Sequence, residues 1–271
     1  MTRPLLAVDG DSFAHRAYHA LPKTINRNAV VGFTNMMMGL WDAEQPRAVV
    51  VGWDTLESPT YRHEAFAGYQ SGREFDASLL EQLGMLPELC TALRFAIGKA
   101  AGYEADDFLA AAVAYEEARG CSVLVASGDR DAFQLVSDRT IVLQPLRGVS
   151  KIARIGPAEV RERYGVDPSQ VPDFIALRGD PSDKLPGAKG VGPKTAAQLL
   201  AQYGSLDAML GDGRFSAQAD ELRLYRRIAA MDAEAPLPDI PDAEADWQGG
   251  SELVRSWGLN QLADRLAARA Q

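Results

Sequence analysis

The chain has 271 residues, 46% of them hydrophobic, and a formal net charge of −9. This length allows a full buried core in one large or two small domains, and no apolar run reaches the roughly 18 residues that span a bilayer. The N-terminus lacks a signal peptide, and Cys90 and Cys121 lie beside apolar residues, so neither a disulfide nor a zinc framework is expected. We expect a soluble cytoplasmic protein without a membrane partner.

Three short apolar runs end in acidic residues. The segment LLAVD ends at Asp9, AVVVGWD ends at Asp54, and SVLVASGDRD contains Asp129 and Asp131. Helical patterns fill the intervals, which predicts an α/β fold with a central, mostly parallel sheet flanked by helices. Ligands bind beyond the carboxyl ends of such strands, so these acids should converge on one edge.

Another acidic group opens the predicted helix DDFLAAAVAYEEA. Glu104, Asp106 and Asp107 crowd its first turn. The helix dipole and capping explain one acid there well and three poorly.

Two further acids, Asp180 and Asp183, lie in a Gly/Pro-rich turn, where a turn residue and a helix cap are the simpler interpretation of the pair alone. Together the candidates number nine, and without them the formal net charge would be zero. So many carboxylates in one cleft raise one another's pKa unless cations neutralise them. Oxygen ligands without His or Cys suit two or more Mg²⁺ or Mn²⁺ ions, which can cleave a phosphodiester.

The segment LPGAKGVGPKTAAQLL is locally basic in an acidic chain. Its glycines predict a turn between two helices whose free amides face a phosphate, with lysines adding charge. The spacing differs from that of an ATP-binding P-loop. The candidates for nucleic-acid binding are Lys184, Gly187, Lys189, Gly190, Gly192, Lys194 and Thr195.

Five segments resemble, in order and spacing, the motifs of bacterial and phage 5'-nucleases, the flap endonuclease family. They are LLAVDGDSFAHRAYHALP, YRHEAFAGYQSGR, GYEADD, ASGDRDAFQLVSD and ALRGDPSDKLPGAKGVGPKTAAQLL. The family includes the 5'-nuclease domain of DNA polymerase I. Its fold would give a PIN-like nuclease core with a helical arch over residues 1–165 and a helical DNA-binding region over residues 166–271.

The resemblance implies roles for the acids and for several bases. The acids of the catalytic metal site would be Asp9, Asp54, Glu104, Asp106, Asp107 and Asp129. A more distal metal site would consist of Asp131, Asp180 and Asp183, and Asp129 would belong to both sites. Arg16, Arg62 and Arg73 match basic positions that face nucleic acid, and Arg73 joins the catalytic set. Residues 186–200 resemble a helix-hairpin-helix element, which grips duplex phosphates, often with a bound K⁺.

Two positions depart from the family pattern. Gln70 stands where the family commonly has Lys, so an ammonium that stabilises charge at the transferring phosphate is missing. Lys184 replaces the usual Asn after the last acid. Residues 74–98 carry few basic side chains, so we expect an arch that is short or that binds DNA weakly.

The preferred hypothesis is a standalone, monomeric, metal-dependent 5'-3' exonuclease and 5' flap endonuclease. Its partners would be DNA with 5' flaps, nicks or recessed 5' ends, including RNA-primed strands, in replication or repair. A binder of branched DNA with weakened chemistry is one alternative, favoured by Gln70. A haloacid-dehalogenase-like phosphatase is the other, suggested by Asp9-Gly10-Asp11.

Overall fold

A computed structural model describes residues 3–55, 58–72, 75–146 and 151–270. Within these ranges a six-stranded sheet has the order β3-β2-β1-β4-β5-β6. The strands are β1 (Leu5–Asp9), β2 (Ala48–Gly52), β3 (Ala96–Gly98), β4 (Val123–Ala126), β5 (Thr140–Pro145) and β6 (Ile152–Ile155). All neighbouring pairs are parallel except β5 with β6. The three apolar runs are therefore the strands β1, β2 and β4, as predicted.

Helices follow and cover the strands in chain order. They are α1 (Gly10–Ala20), α2 (Asn28–Glu44), α3 (Tyr61–Ala65), α4 (Ala77–Ala92), α5 (Ala105–Ala118), α6 (Pro157–Tyr164), α7 (Val171–Arg178), α8 (Pro193–Tyr203), α9 (Leu206–Gly211), α10 (Ala219–Ala229), α11 (Trp247–Ser256) and α12 (Asn260–Ala267). A 3-10 turn spans Asp131–Leu135. No helix in the described ranges is long and apolar enough to cross a membrane.

Each face of the sheet has its own hydrophobic layer because strand side chains alternate. Leu5 and Ala7 pack with α5 and with helices α7 to α10, whereas Leu6 and Val8 pack with α1, α2, α4, α11 and α12. Helices from residues 166–271 thus share both layers with the sheet. The boundary at residue 165 stays a prediction, since one continuous core crosses it.

Helix α4 occupies most of the stretch expected to form the helical arch. Leu79, Leu83, Leu86 and Leu89 repeat at helical spacing and are buried in the layer shared with α1 and α2. One face of α4 thus packs in the core, and the helical arch stays a prediction. Arg73, predicted to bind nucleic acid and to join the catalytic set, lies outside the described residues.

Candidate active site

The site lies at the carboxyl edge of the three central strands. Asp9 ends β1 and pairs in register with Gly52 of β2, and Val8 pairs with Ala126 at the end of β4. Asp54 follows β2 by two residues and Asp129 follows β4 by three. The predicted convergence of acids at one sheet edge is therefore present.

Asp9 is held from two sides at the start of α1. One carboxylate oxygen accepts the Ser12 main-chain N–H at 2.9 Å, and the other accepts the Ser127 hydroxyl at 2.7 Å. Burial raises the pKa of Asp9 to about 7, since the two serine hydrogen bonds offset only part of the effect and Asp54 and Asp129 add repulsion. A cation bound at this buried, oriented carboxylate would replace the proton that burial favours.

Asp11 is a site residue that the sequence reasoning missed, because it entered only through the phosphatase alternative. Its side chain is buried and accepts the Asp54 main-chain N–H at 2.7 Å, while Asp54 accepts the Ala105 N–H of α5 at 2.8 Å. Burial and the neighbouring Asp54 raise the pKa of Asp11, and Lys99 partly offsets them. The available signal was its position in the first turn of α1, two residues after Asp9.

The three acids of α5 divide into different roles. Glu104 precedes the helix and accepts hydrogen bonds from the Thr60 hydroxyl and the Tyr69 hydroxyl, each at 2.8 Å. Asp106 is partly exposed, and within the described residues its buried Oδ1 has no hydrogen-bond partner. Burial above all raises the pKa of Asp106, and Asp107, Glu104 and Asp54 add repulsion, although Arg62 opposes the shift. That Oδ1 lies 3.4 Å from an Nη group of Arg62, so it is held by an ion pair rather than by a hydrogen bond.

Asp107 does not belong to the metal-facing acids. It has no solvent exposure, and its two oxygens accept both Nη groups of Arg62 at 2.8 Å. It also accepts the Glu104 N–H at 3.0 Å and the Asp232 N–H at 2.8 Å. The predicted metal-binding and catalytic role of Asp107 is corrected to a structural one, because these donors already surround its oxygens.

Arg62 needs the same correction. Its residue exposure is 1%, and its Nε donates to the main-chain oxygen of Ile228 at 2.9 Å. The guanidinium therefore cannot contact nucleic acid as predicted. It neutralises the α5 acids from inside, with Glu104 and Asp106 oxygens each 3.4 Å away.

The distal acids gather around the 3-10 turn and the loop after α7. Asp180 accepts the Ser182 N–H at 2.8 Å and an Nη of Arg178 at 3.2 Å. Burial raises the pKa of Asp183 to about 6, with repulsion from Asp180 and Asp129 added and a Gln70 hydrogen bond opposing. Burial and the acids Asp129, Asp180 and Asp183 likewise raise the pKa of Asp131. The Asp131 main-chain N–H also donates to Asp129 Oδ1 at 3.0 Å.

Gln70 joins the two acidic groups. Its side-chain amide donates to the Tyr69 hydroxyl at 2.8 Å and to Asp183 Oδ1 at 3.0 Å, and Tyr69 in turn donates to Glu104. A hydrogen-bonded chain thus runs from Glu104 to Asp183. Gln70, which departs from the family pattern, therefore links the two acidic groups by hydrogen bonds.

The basic candidates lie mostly at the surface. Arg16 is half-buried and donates to the Leu146 main-chain oxygen at 3.2 Å. Several of the predicted nucleic-acid residues are exposed in the loop between α7 and α8 and in the first turn of α8, namely Lys184, Lys189, Gly190, Gly192, Lys194 and Thr195. Gly187 instead is buried at φ +76°, and a Cβ there would lie 2.4 Å from the Gly179 nitrogen. The prediction that Gly187 contacts nucleic acid is therefore corrected, because this glycine is needed where two backbone segments pack closely.

The donor set fits hard divalent cations, since it consists of carboxylate oxygens without His or Cys. Within the described ranges, however, no three His, Cys, Asp or Glu side chains form a group spaced to hold an ion. The acids converge without forming a ready coordination shell.

Two family models match the chain over most of its length. One, the 5'-3' exonuclease N-terminal resolvase-like domain, matches residues 4–165, and the other, the 5'-3' exonuclease C-terminal SAM fold, matches residues 166–248. The chain belongs to the 5'-3' exonuclease family. The family predicted from the five motifs is confirmed.

Curated members of this family include larger proteins. DNA polymerase I of Mycobacterium leprae is 44% identical over 218 residues, which cover 77% of this chain and 24% of the polymerase. DNA polymerase I of Bacillus caldotenax is 37% identical over 292 residues, which cover 98% of this chain and 32% of the polymerase. The chain thus spans about a quarter to a third of the length of these relatives.

The fold is also that of a solved phage enzyme. Bacteriophage T5 flap endonuclease, in a pseudo-enzyme-product complex with DNA and metal ions, matches with a TM-score of 0.71 at 17% identity over 98% of both chains. A mostly parallel sheet flanked by helices, with a helical C-terminal region, is therefore confirmed as the fold class.

Proposed function

We propose that this protein is a metal-dependent 5'-3' exonuclease and 5' flap endonuclease that hydrolyses DNA phosphodiester bonds near junctions of single strand and duplex. The observation that carries the proposal is the convergence of two acidic groups, joined by Gln70, in a chain of the 5'-3' exonuclease family. Residues 1–165 would carry out the chemistry, and residues 166–271 would make most of the contacts with duplex DNA.

The acids would hold two or more Mg²⁺ or Mn²⁺ ions. The first group is Asp9, Asp54, Glu104, Asp106 and Asp129, and the second is Asp129, Asp131, Asp180 and Asp183. When bound, such ions supply the positive charge that activates a water for attack and stabilises the leaving 3' oxygen.

The chain's own contribution is to position these carboxylates. Ser127 orients Asp9, Asp11 fixes the Asp54 main chain, and Thr60 with Tyr69 orients Glu104. Because these donors come from separate elements of a packed core, the oxygens stay in place as charge develops on the phosphate.

DNA contacts would come from exposed basic side chains. The loop between α7 and α8 presents Lys184 and Lys189, and the first turn of α8 presents Lys194. The exposed glycines of the loop leave main-chain amides accessible to duplex phosphates. We propose that this loop is a helix-hairpin-helix element that can bind K⁺, and that Arg16 contacts the strand near the acids. The substrates would be 5' flaps, nicks and recessed 5' ends, including RNA-primed ones, and the protein would act as a monomer.

A branched-DNA binder with weakened chemistry remains the second candidate, and a specific observation favours it. Gln70 brings a neutral amide, not a cation, between the acids. The phosphatase alternative loses support, because Asp11 is buried and engaged by the Asp54 N–H and so is poorly placed as a general acid.

The test is cleavage of a 5'-labelled flap duplex in Mg²⁺, Mn²⁺ or EDTA. We expect products near the junction that require the metal, are lost with Asp129→Asn, and persist with the control Asp138→Asn, an exposed acid at another place in the fold. Binding of the flap without cleavage in either metal would favour the binder. Turnover of a chromogenic phosphate monoester without flap cleavage would contradict the nuclease.

A further inference from the structure

A cleft of about 540 Å³ is lined in part by Arg178, which donates a hydrogen bond to the distal acid Asp180. Four basic residues, Arg130, Arg163, Arg178 and Lys194, line it, and among the described residues its lining includes no acid. The surplus positive charge stands out in a chain whose formal net charge is −9. Such a cleft is suited to an anion.

Aromatic rings form part of its wall and hold the guanidinium groups. Tyr164 stacks on Phe174 at 4.9 Å, and the Arg178 guanidinium lies 5.8 Å from the first ring and 5.4 Å from the second. Arg163 donates to the Gln144 side chain at 2.8 Å and lies 5.8 Å from the Phe133 ring. Neutral partners thus hold Arg163 in place, so its charge remains available to a ligand, whereas Arg178 has both these rings and an acidic partner.

Arg178 connects this cleft with the acids. One Nη donates to Asp180 at 3.2 Å, while its buried Nε has no hydrogen-bond partner among the described residues. Arg130 lies between Asp129 and Asp131 in the sequence. At its other end the cleft reaches Lys194, in the first turn of α8. The cleft therefore extends from the distal acids to the basic loop.

We infer that this cleft, lined by Arg130, Arg163, Arg178 and Lys194, binds backbone phosphate of the DNA substrate next to the bond that is cleaved. Guanidinium groups match phosphate oxygens in geometry and charge, and the volume exceeds what a single phosphate ion needs. Stacked rings offer an apolar surface to the sugar. The inference rests on the proposed function and specifies which surface guides the strand between the acids and the loop.

The test measures binding of a fluorescent flap duplex in EDTA, where no cleavage occurs, over a range of KCl concentrations. Wild type is compared with Arg130→Gln, with Arg163→Gln and with the double variant. Each lost phosphate contact should lower the slope of log K against log salt by about 0.9 and weaken binding on the order of threefold to tenfold. Arg119→Gln is the matched control, because this exposed arginine lines the cleft around Arg3 and Arg47 instead.

Unchanged affinity and slope in the double variant would overturn the inference. Arg130 is exposed, so its variant should keep the wild-type melting temperature and gives the readout even if Arg163→Gln fails to fold. Binding of inorganic phosphate to the same proteins tests whether the cleft is a site for free phosphate rather than for DNA phosphate. Phosphate binding that the variants lose, with duplex binding unchanged, would also overturn the inference in favour of a free-phosphate site.

Flap cleavage by the wild type in Mg²⁺ separates this inference from the proposed function. If the wild type cleaves while the variants bind like wild type, only the cleft assignment fails. If the wild type neither binds nor cleaves the flap, the proposed function fails and the cleft assignment fails with it.

Discussion

Arg62 and Asp107 form a bidentate ion pair in the interior, with both N–O distances at 2.8 Å and the residues 1% and 0% exposed. Arg62 also donates to the Ile228 main-chain oxygen, and Asp107 accepts the Asp232 N–H. The pair therefore ties α3 and the start of α5 to α10 and the segment that follows it. The pair stabilises the elements that carry the acidic site and is not itself part of the site.

Replacing Arg62 by Met should destabilise the protein by about 3–5 kcal/mol, because Asp107 is left as an unpaired buried charge. Chemical denaturation measures the free energy of unfolding. Arg161→Met, which breaks an exposed pair with Asp167, is the control and should cost about 1 kcal/mol or less. Equal losses in the two variants would contradict a special role for the buried pair.

Asp106→Asn and Asp107→Asn should separate chemistry from stability in adjacent residues. We expect Asp106→Asn to lower flap cleavage by at least about 100-fold with little loss of stability, since it removes a crowded, partly exposed carboxylate whose contact with Arg62 is as long as 3.4 Å. Asp107→Asn should instead lower the free energy of unfolding by about 2–4 kcal/mol, because it leaves Arg62 unneutralised. Single-turnover kinetics and denaturation of both variants provide the check. A reversed pattern would show that Asp107 is the ligand.

Gln70→Lys should raise the rate of flap cleavage, on the order of tenfold, and Gln70→Ala should lower it. An ammonium at this position would attract the phosphate and lower the pKa of Asp183, whose burial now raises it to about 6. The rising limb of the pH–rate profile should consequently move to lower pH in the lysine variant. Equal rates in all three proteins would mean that the bridge between Tyr69 and Asp183 is irrelevant to the chemistry.

The protein without divalent ions should lose stability as pH rises from about 4 to 7. The folded-state pKa values of Asp9, about 7, and Asp183, about 6, lie above the ordinary value of 3.8, so the folded state binds more protons than the unfolded state in this window. Melting temperatures in EDTA between pH 5 and 8 measure the effect.

Asp9→Asn should flatten this dependence, and Mg²⁺ should reverse it because bound cations replace the protons. Asp138→Asn is the control and should retain the wild-type profile. A melting temperature in EDTA that rises from pH 5 to 7 would contradict the raised pKa values.

The apolar runs before Asp9, Asp54 and Asp129 were sufficient to predict the sheet and its acidic edge, because parallel strands must align their carboxyl ends. Five motifs in order were sufficient for the family. These features depend on local pattern and on chain direction, which a sequence displays directly.

Only the tertiary structure separated neighbouring acids with the same chemistry. Asp106 and Asp107 are adjacent, yet about 100° of helix rotation leaves the first partly exposed and buries the second in the bidentate pair with Arg62. The burial of Arg62 depends on Ile228, which lies 166 positions away. The inward turn of Asp11 likewise requires the Asp54 main chain. Partners so distant in sequence meet only through packing, so the sequence determined the acidic edge and the fold decided which acids remain free to act.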